Sequence, residues 1–192
     1  MEKGINMELK QLTERITNYL EVENVNEMSK KIFDSILKND TTFYENFLGL
    51  LDVSSEDLVK VGEVLSEDFM QKMFQYYLAD RKEKMQDYTP LSLAKFVGML
   101  AGEEKNVIDM CAGSGALTIQ KWNLDHDKKF LLYEFDENVI PILIFNMSIR
   151  NIECIVCHAD ALKMEVFKSW KVEKGEKFGI IKECDINEHL NF

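Results

Sequence analysis

The sequence predicts an α/β domain preceded by a small helical region, and three observations lead there. Short apolar runs at Val107-Ile108, Leu131-Leu132-Tyr133 and Ile155-Val156 recur with helix-length segments between them, the pattern of β-α-β units. Each run is followed closely by an acid: Asp109, Glu134 and Asp160. Residues 1–85, by contrast, place apolar side chains at three- and four-residue intervals, the period of helices.

In chain order, Leu9, Leu12, Ile16 and Leu20 mark a first helix over residues 7–20. A break at Glu23-Asn24-Val25-Asn26 separates it from a second helix through Met28, Ile32, Phe33, Ile36 and Leu37. Asn39-Asp40-Thr41-Thr42 is a turn and cap cluster before the apolar segment Phe43 to Leu51. Ser54-Ser55-Glu56-Asp57 starts a helix with Leu58, Val61 and Leu65 inward. Ser66-Glu67-Asp68 caps another, running through Phe69, Met73, Tyr76, Tyr77 and Asp80. The junction falls at residues 82–86, giving a helical region over 1–85 and an α/β domain over 86–192. Thr89 as N-cap and Pro90 in the first turn then begin a helix through Leu93, Phe96, Val97 and Leu100.

The chain is organised around Val107-Ile108-Asp109-Met110-Cys111-Ala112-Gly113-Ser114-Gly115-Ala116-Leu117. An apolar run ends in an acid, turns on small residues and enters a helix to about Trp122. In such a unit the glycine loop lets a ligand approach the backbone. A dinucleotide fingerprint needs a third glycine three residues after Gly115, where Thr118 stands, so a pyrophosphate cofactor is disfavoured. Leu131 to Asp136 forms a second strand ending in acids, and Glu134 lies at the distance where an acid meets a ribose. A helix over 137–150 follows, with Pro141 in its first turn. Residues 151–162 hold the third strand, residues 163–177 are polar and mixed, and Lys177-Phe178-Gly179-Ile180-Ile181 reads as a fourth strand.

With Tyr88-Thr89-Pro90 one helix upstream of the glycine loop, the four signals stand in an order that resembles the S-adenosylmethionine (SAM)-dependent DNA adenine-N6 methyltransferases, especially modification subunits of type I restriction systems. The resemblance covers about Gln86 to Leu162 and implies a partial Rossmann-like SAM-methyltransferase sheet. It implies that Tyr88 and Thr89 contact the methionine portion of SAM and that Asp109, Gly113 and Gly115 form the loop beneath it. Glu134, with Asp136 as a lesser candidate, is then the ribose acceptor. Asp160 accepts from the adenine amino group, with Ala161 and Ile152 flanking the ring. The family also carries an Asn/Asp-Pro-Pro-aromatic tetrad after its fourth strand, which positions the flipped adenine amine. The chain's two prolines are Pro90 and Pro141, so the tetrad occurs nowhere in it; the matching segment is Ile181 to Asn187, where Asp185 offers a lone acceptor. Hence no catalytic residue is assigned, and the chain alone is not expected to methylate DNA.

Composition bounds the partners. The formal charge is −11, with 17 acids and 11 bases in residues 1–85 and 17 and 12 in residues 86–192. Neutralising phosphates dominates nucleic-acid affinity, so DNA is expected only indirectly or through a partner. A fourth strand left at a sheet edge calls for a protein partner, self-association or covering by the tail. No apolar run approaches the ~20 residues of a membrane span. Four cysteines without a secretory context point to reduced thiols and a cytoplasmic protein. Cys154-x-x-Cys157 on one strand would place its thiols on opposite faces, so no metal is expected. The rival reading is an acidic pseudo-methyltransferase that binds and regulates a nucleic-acid-processing protein. A third is a small-molecule methyltransferase.

Overall fold

The computed structural model describes residues 9–23, 25–71, 73 and 89–189. Four helices come first: α1 (Leu9–Leu20), α2 (Val25–Ile36), α3 (Thr41–Leu50) and α4 (Leu58–Leu65). Then follow α5 (Leu91–Leu100), β1 (Asn106–Asp109), α6 (Ala116–Leu124), β2 (Lys129–Glu134), α7 (Ile140–Ile149) and β3 (Cys154–Asp160). The last elements are β4 (Glu165–Glu173), β5 (Ile180–Cys184) and a 3₁₀ turn (Ile186–His189). The five strands lie in chain order, β1-β2-β3-β4-β5, in one mixed sheet. The pairs β1–β2 and β2–β3 are parallel, as crossover helices require; β3–β4 and β4–β5 are antiparallel.

Two sequence expectations change here. The polar stretch 163–177, read as mixed, contains the nine-residue strand β4. Its alternation is broken where the register with β3 passes over Phe167, between His158 and Ala159, and by Lys168 and Lys171, which put a charge on each face. The expected fourth strand at 177–181 is therefore the fifth, displaced to Ile180–Cys184, because Gly179 is held against the end of α7 by its own N–H on the Ser148 carbonyl at 2.7 Å.

The organising helix is α7. All ten of its residues are buried, as its sequence IPILIFNMSI demands of a helix apolar on every side. One face lies on Phe130, Leu132, Val156 and Trp170 of the sheet, and the other receives the N-terminal helices in one continuous core from Leu12 to Ile181. Tyr44 stacks on Phe178 with centroids 4.8 Å apart and donates to Ser148 Oγ at 3.0 Å. That buried hydroxyl bond satisfies a phenol which desolvation pushes up to a pKa of about 12.

The opposite face of the sheet carries a smaller cluster, Leu131, Ile155, Cys157 and Ala159, with Ile186 of the 3₁₀ turn packed against it. Cys154 sits in the main core and Cys157 in this second cluster, on opposite faces as expected, and no metal-holding group occurs among the described residues. Nor is any helix among them long and apolar enough to cross a membrane.

Other details depart from the sequence reading. Leu58, expected inward, is 75% exposed, because α4 turns only Leu65 fully into the core. The helix cap upstream of β1 falls on Pro90 (φ −56°, ψ 141°), not Thr89, since the fixed proline ring holds an extended entry and its carbonyl accepts the first helical bond from Ala94 N–H. Helix α5 packs on α6 through small residues, Ala94 and Gly98, so Leu93, Phe96, Val97 and Leu100 face outward.

Candidate functional site

The parallel strands end at one edge of the sheet, and the register staggers their termini. Asp109 pairs with Leu132 and Glu134 with His158, so each successive strand reaches two residues further. This edge is where open α/β sheets take their ligands. Asp109, Glu134 and Asp160 all stand on it.

The loop between β1 and α6 is built by two glycines with different tasks. Gly113 has φ +56° and nothing within 4 Å of the position a Cβ would take. That combination leaves its backbone open to a ligand. Gly115 has φ +97°, and a Cβ there would lie 2.6 Å from Met147 Cε and 3.0 Å from Leu143 Cδ1. Its N–H is used within the loop, on Ala112 O at 2.8 Å. Gly115 therefore serves the turn and the seating of α7; Gly113 is the one that faces open space.

The acids hold this loop in place. Glu134 Oε2 accepts from Gly113 N–H at 2.8 Å, and Oε1 accepts from Asp136 N–H at 2.8 Å. The Phe135 N–H is a third backbone donor to this carboxylate, which leaves about one of its four lone-pair sites open. Burial pushes the Glu134 pKa up, against the three backbone N–H bonds that favour its charge. Asp109 Oδ1 accepts from Cys111 N–H and Oδ2 from the Thr118 hydroxyl, both at 3.3 Å, and burial raises its pKa too. Thr118, which stands where a dinucleotide fingerprint has glycine, thus acquires a task that its type alone did not announce.

Asp160 is engaged locally. Its Oδ1 accepts from Leu162 and Lys163 N–H, each at 3.1 Å, and Oδ2 pairs with Lys163 Nζ at 2.9 Å. The Lys163 side chain and these amides hold its pKa below the usual value. Ala161 is half-buried beside it. Asp136 is buried and accepts from Asn138 N–H and Nδ2, both at 3.1 Å, which shapes the turn into α7. Tyr88 lies outside the described residues; Thr89 is half-buried, and its carbonyl accepts from Gln71 Nε2 at 3.4 Å.

Three expectations about the site's surroundings are corrected. Ile152, expected beside the adenine, is fully buried in the main core ahead of β3, at the end of that strand opposite Asp160. The second strand ends at Glu134, so Phe135 and Asp136 belong to the turn beyond it. Asp185 follows β5, two strands beyond β3 and at the far edge from the glycine loop, where it accepts from Asn187 N–H and Nδ2. Sequence reasoning also passed over Phe135, which is 60% exposed between two site acids and whose carbonyl meets His158 Nε2 at 3.1 Å. An exposed aromatic following a strand-terminal acid was the available signal.

A buried polar network couples the loop to the N-terminal helices. Asn146 Nδ2 donates to Ser114 O at 2.8 Å and to Asp68 Oδ1 at 2.9 Å. Arg150 donates to the carbonyls of Leu65 (2.8 Å), Glu67 (2.7 Å) and Asn146 (2.9 Å). Burial lowers the Arg150 pKa to about 10, with the Asp68 charge opposing, while burial raises that of Asp68.

Comparison with known proteins gives one finding. The model of the N-6 DNA methylase family matches residues 62–182, more than half of the chain, from α4 through the glycine loop into β5. No curated protein and no solved structure matches.

Proposed function

Since the chain belongs to the N-6 DNA methylase family, we propose that it binds SAM at the carboxyl ends of β1, β2 and β3 and does not complete methyl transfer by itself. The observation that carries this reading is Glu134, oriented by the Gly113 and Asp136 amides, with the open side of Gly113 next to it. The lone pair left open on that carboxylate suits a ribose hydroxyl. Asp160 supplies an acceptor for the adenine amino group, beside Ala161; Asp136 supports Glu134 through its amide. Asp109 and Gly115 hold the loop, and Tyr88 and Thr89 are assigned to the methionine end by family resemblance.

When bound, SAM supplies an electrophilic methyl on a sulfonium. What this chain's residues do is bind and orient; nothing among its 192 residues matches the tetrad that positions an adenine amine. The free thiols Cys111, Cys154, Cys157 and Cys184 fit a cytoplasmic setting in a restriction-modification context. The charge of −11 favours a second reading, in which the chain reaches DNA only through a protein partner that it regulates.

Calorimetric titration with SAM and with S-adenosylhomocysteine tests the proposal. One-to-one binding is expected, lost in Glu134→Ala and in Asp160→Ala. A wild-type chain that binds neither ligand overturns it and leaves the regulatory reading.

A further inference from the structure

Side chains of α6 and α7 close the end of α4 and grip the chain that leaves it. Arg150 Nε donates to Leu65 O at 2.8 Å, Gln120 Nε2 and Asn123 Nδ2 to Ser66 O at 2.8 and 2.7 Å, and Arg150 Nη2 to Glu67 O at 2.7 Å. These are carbonyls of the kind that a helix end leaves without partners. Asp68 comes next and is buried. Its Oδ1 accepts from Asn146 Nδ2 at 2.9 Å and from Gln71 N–H at 3.0 Å, whereas the buried Oδ2 has no hydrogen-bond partner among the described residues. Asn146 carries the contact onward. The same Nδ2 donates to Ser114 O at 2.8 Å, between the two glycines of the loop, and Arg150 Nη1 on Asn146 Oδ1 at 3.0 Å fixes which way that amide faces.

A buried carboxylate needs donors on both oxygens or a direct ion pair. Around Asp68, α6 brings the uncharged Gln120 and Asn123, the glycine loop brings Ser114, and α7 brings Asn146 and Arg150, which is the one charged group acting on it among the described residues. Arg150 makes no direct bond to Asp68: its hydrogen bonds run to oxygens of Leu65, Glu67 and Asn146, so it opposes the effect of burial through its charge alone. Asn146 and Gln71 both meet Oδ1, which leaves the Ser114 side chain, itself buried, for Oδ2. A serine oxygen accepts as readily as it donates. We propose that Asp68 is a positioning residue of the glycine loop, a neutral acid whose Oδ2 proton is shared with the Ser114 hydroxyl and whose ionisation loosens the loop. Burial drives the carboxyl in the same direction. Once ionised, the carboxylate draws Asn146 Nδ2 more strongly, at the expense of that amide's second bond, to Ser114 O. The consequence for SAM rests on the cofactor reading above; the coupling of Asp68 to the loop does not.

NMR of the full 192-residue chain without ligand is the first test. The Asp68 carboxyl carbon, the Asn146 side-chain amide and the Ser114 backbone amide are followed from about pH 4 to 9. The carboxyl is expected to titrate well above the ordinary value of 3.8, and both amides to move at its midpoint. In Asp68→Asn the side-chain oxygen and NH2 reproduce the acceptor and donor of the neutral acid, so the amide movements are expected to vanish while circular dichroism shows the fold retained. The wild-type titration decides the carboxyl's state whether or not that variant folds. Calorimetry then reads the effect on the site: SAM affinity is expected to fall about fivefold as pH rises through the midpoint in wild type and to stay level in Asp68→Asn, the comparison of the two cancelling the ligand's own titration. A carboxyl already ionised at about pH 5 overturns the proposal. So do amides that move alike in both proteins, or SAM affinities with the same pH profile in both. A wild-type chain that binds no SAM at any pH overturns the cofactor reading instead, and the ligand-free titration alone then decides the role of Asp68.

Discussion

Glu134 and Gly113 face each other across the sheet edge, joined by an amide-to-carboxylate bond of 2.8 Å that fixes the strand-terminal acid and the loop as one unit. Removing the acid should therefore have two effects. Glu134→Ala leaves the Gly113 amide without its acceptor, at a cost of about 1–3 kcal/mol measured by urea unfolding. Glu134→Gln retains one acceptor oxygen and is expected to cost less stability while still weakening SAM binding at least tenfold by calorimetry. A Glu134→Ala chain as stable as wild type would show that this bond does not hold the loop.

The two glycines should separate by experiment. Gly115→Ala combines a left-handed backbone with a collision on Met147 and should lose about 2–4 kcal/mol. Gly113→Ala meets open space and pays only the backbone term, about 1–2 kcal/mol. It should remain folded yet impair the ligand. Equal melting temperatures for the two variants would refute the division of labour.

The edge of β5 offers a third check, because the Asn39 side chain covers it: Nδ2 donates to Ile181 O at 3.0 Å and Oδ1 accepts from Ile181 N–H at 2.7 Å. Asn39 has φ +52°, which asparagine tolerates and glycine accepts freely. Asn39→Gly keeps that turn and deletes both bonds to Ile181, for an expected loss of about 1–3 kcal/mol. Exchange of the Ile181 amide should rise by at least tenfold in the same variant. Unchanged exchange would mean that the asparagine does not shield β5.

Acid titration should distinguish Asp109 from Asp160. Burial raises the folded pKa of Asp109, so the folded state binds its proton more tightly than the unfolded chain. Its contribution to stability is greatest below the ordinary value near 3.8 and is lost as pH rises through the raised value. Asp160 runs the other way: lowered by Lys163 and its amides, it stabilises above 3.8 and that support is lost as pH falls through the folded value. Unfolding midpoints between about pH 3 and 6 should thus flatten in opposite senses for Asp109→Asn and Asp160→Asn. Matching profiles for the two variants would contradict the assigned causes.

Much of the site was legible because strand-terminal acids and a glycine turn follow local rules. Asp109, Gly113, Glu134 and Asp160 reach one edge simply because parallel strands with like-handed crossovers bring their carboxyl ends together. What was not legible depended on partners distant in sequence. Nothing near Leu58 or Phe96 says that α4 and α5 would leave them outside, since the faces were decided by Ala94, Gly98 and Leu65 meeting other elements. The strand β4 was hidden because Lys168 and Lys171, three residues apart, put a charge on each face while only Ser169, Trp170 and Val172 are fully buried. Its pairing with β3 supplied the rest. Ile152 looked like a neighbour of the third strand's acid from sequence order, although a strand's two ends lie on opposite sides of the domain.

Helix α7 has no hydrated surface, and this governs how the polypeptide must be handled. Cutting at residues 82–86, where composition alone invites a boundary, strips away the cover supplied by Met28, Ile32, Tyr44 and Phe47. Such a fragment would display an oily rod and clump before ligand binding could be assayed. Melting should accordingly register as one transition shared by both ends of the chain, and useful expression must begin upstream of the first helix.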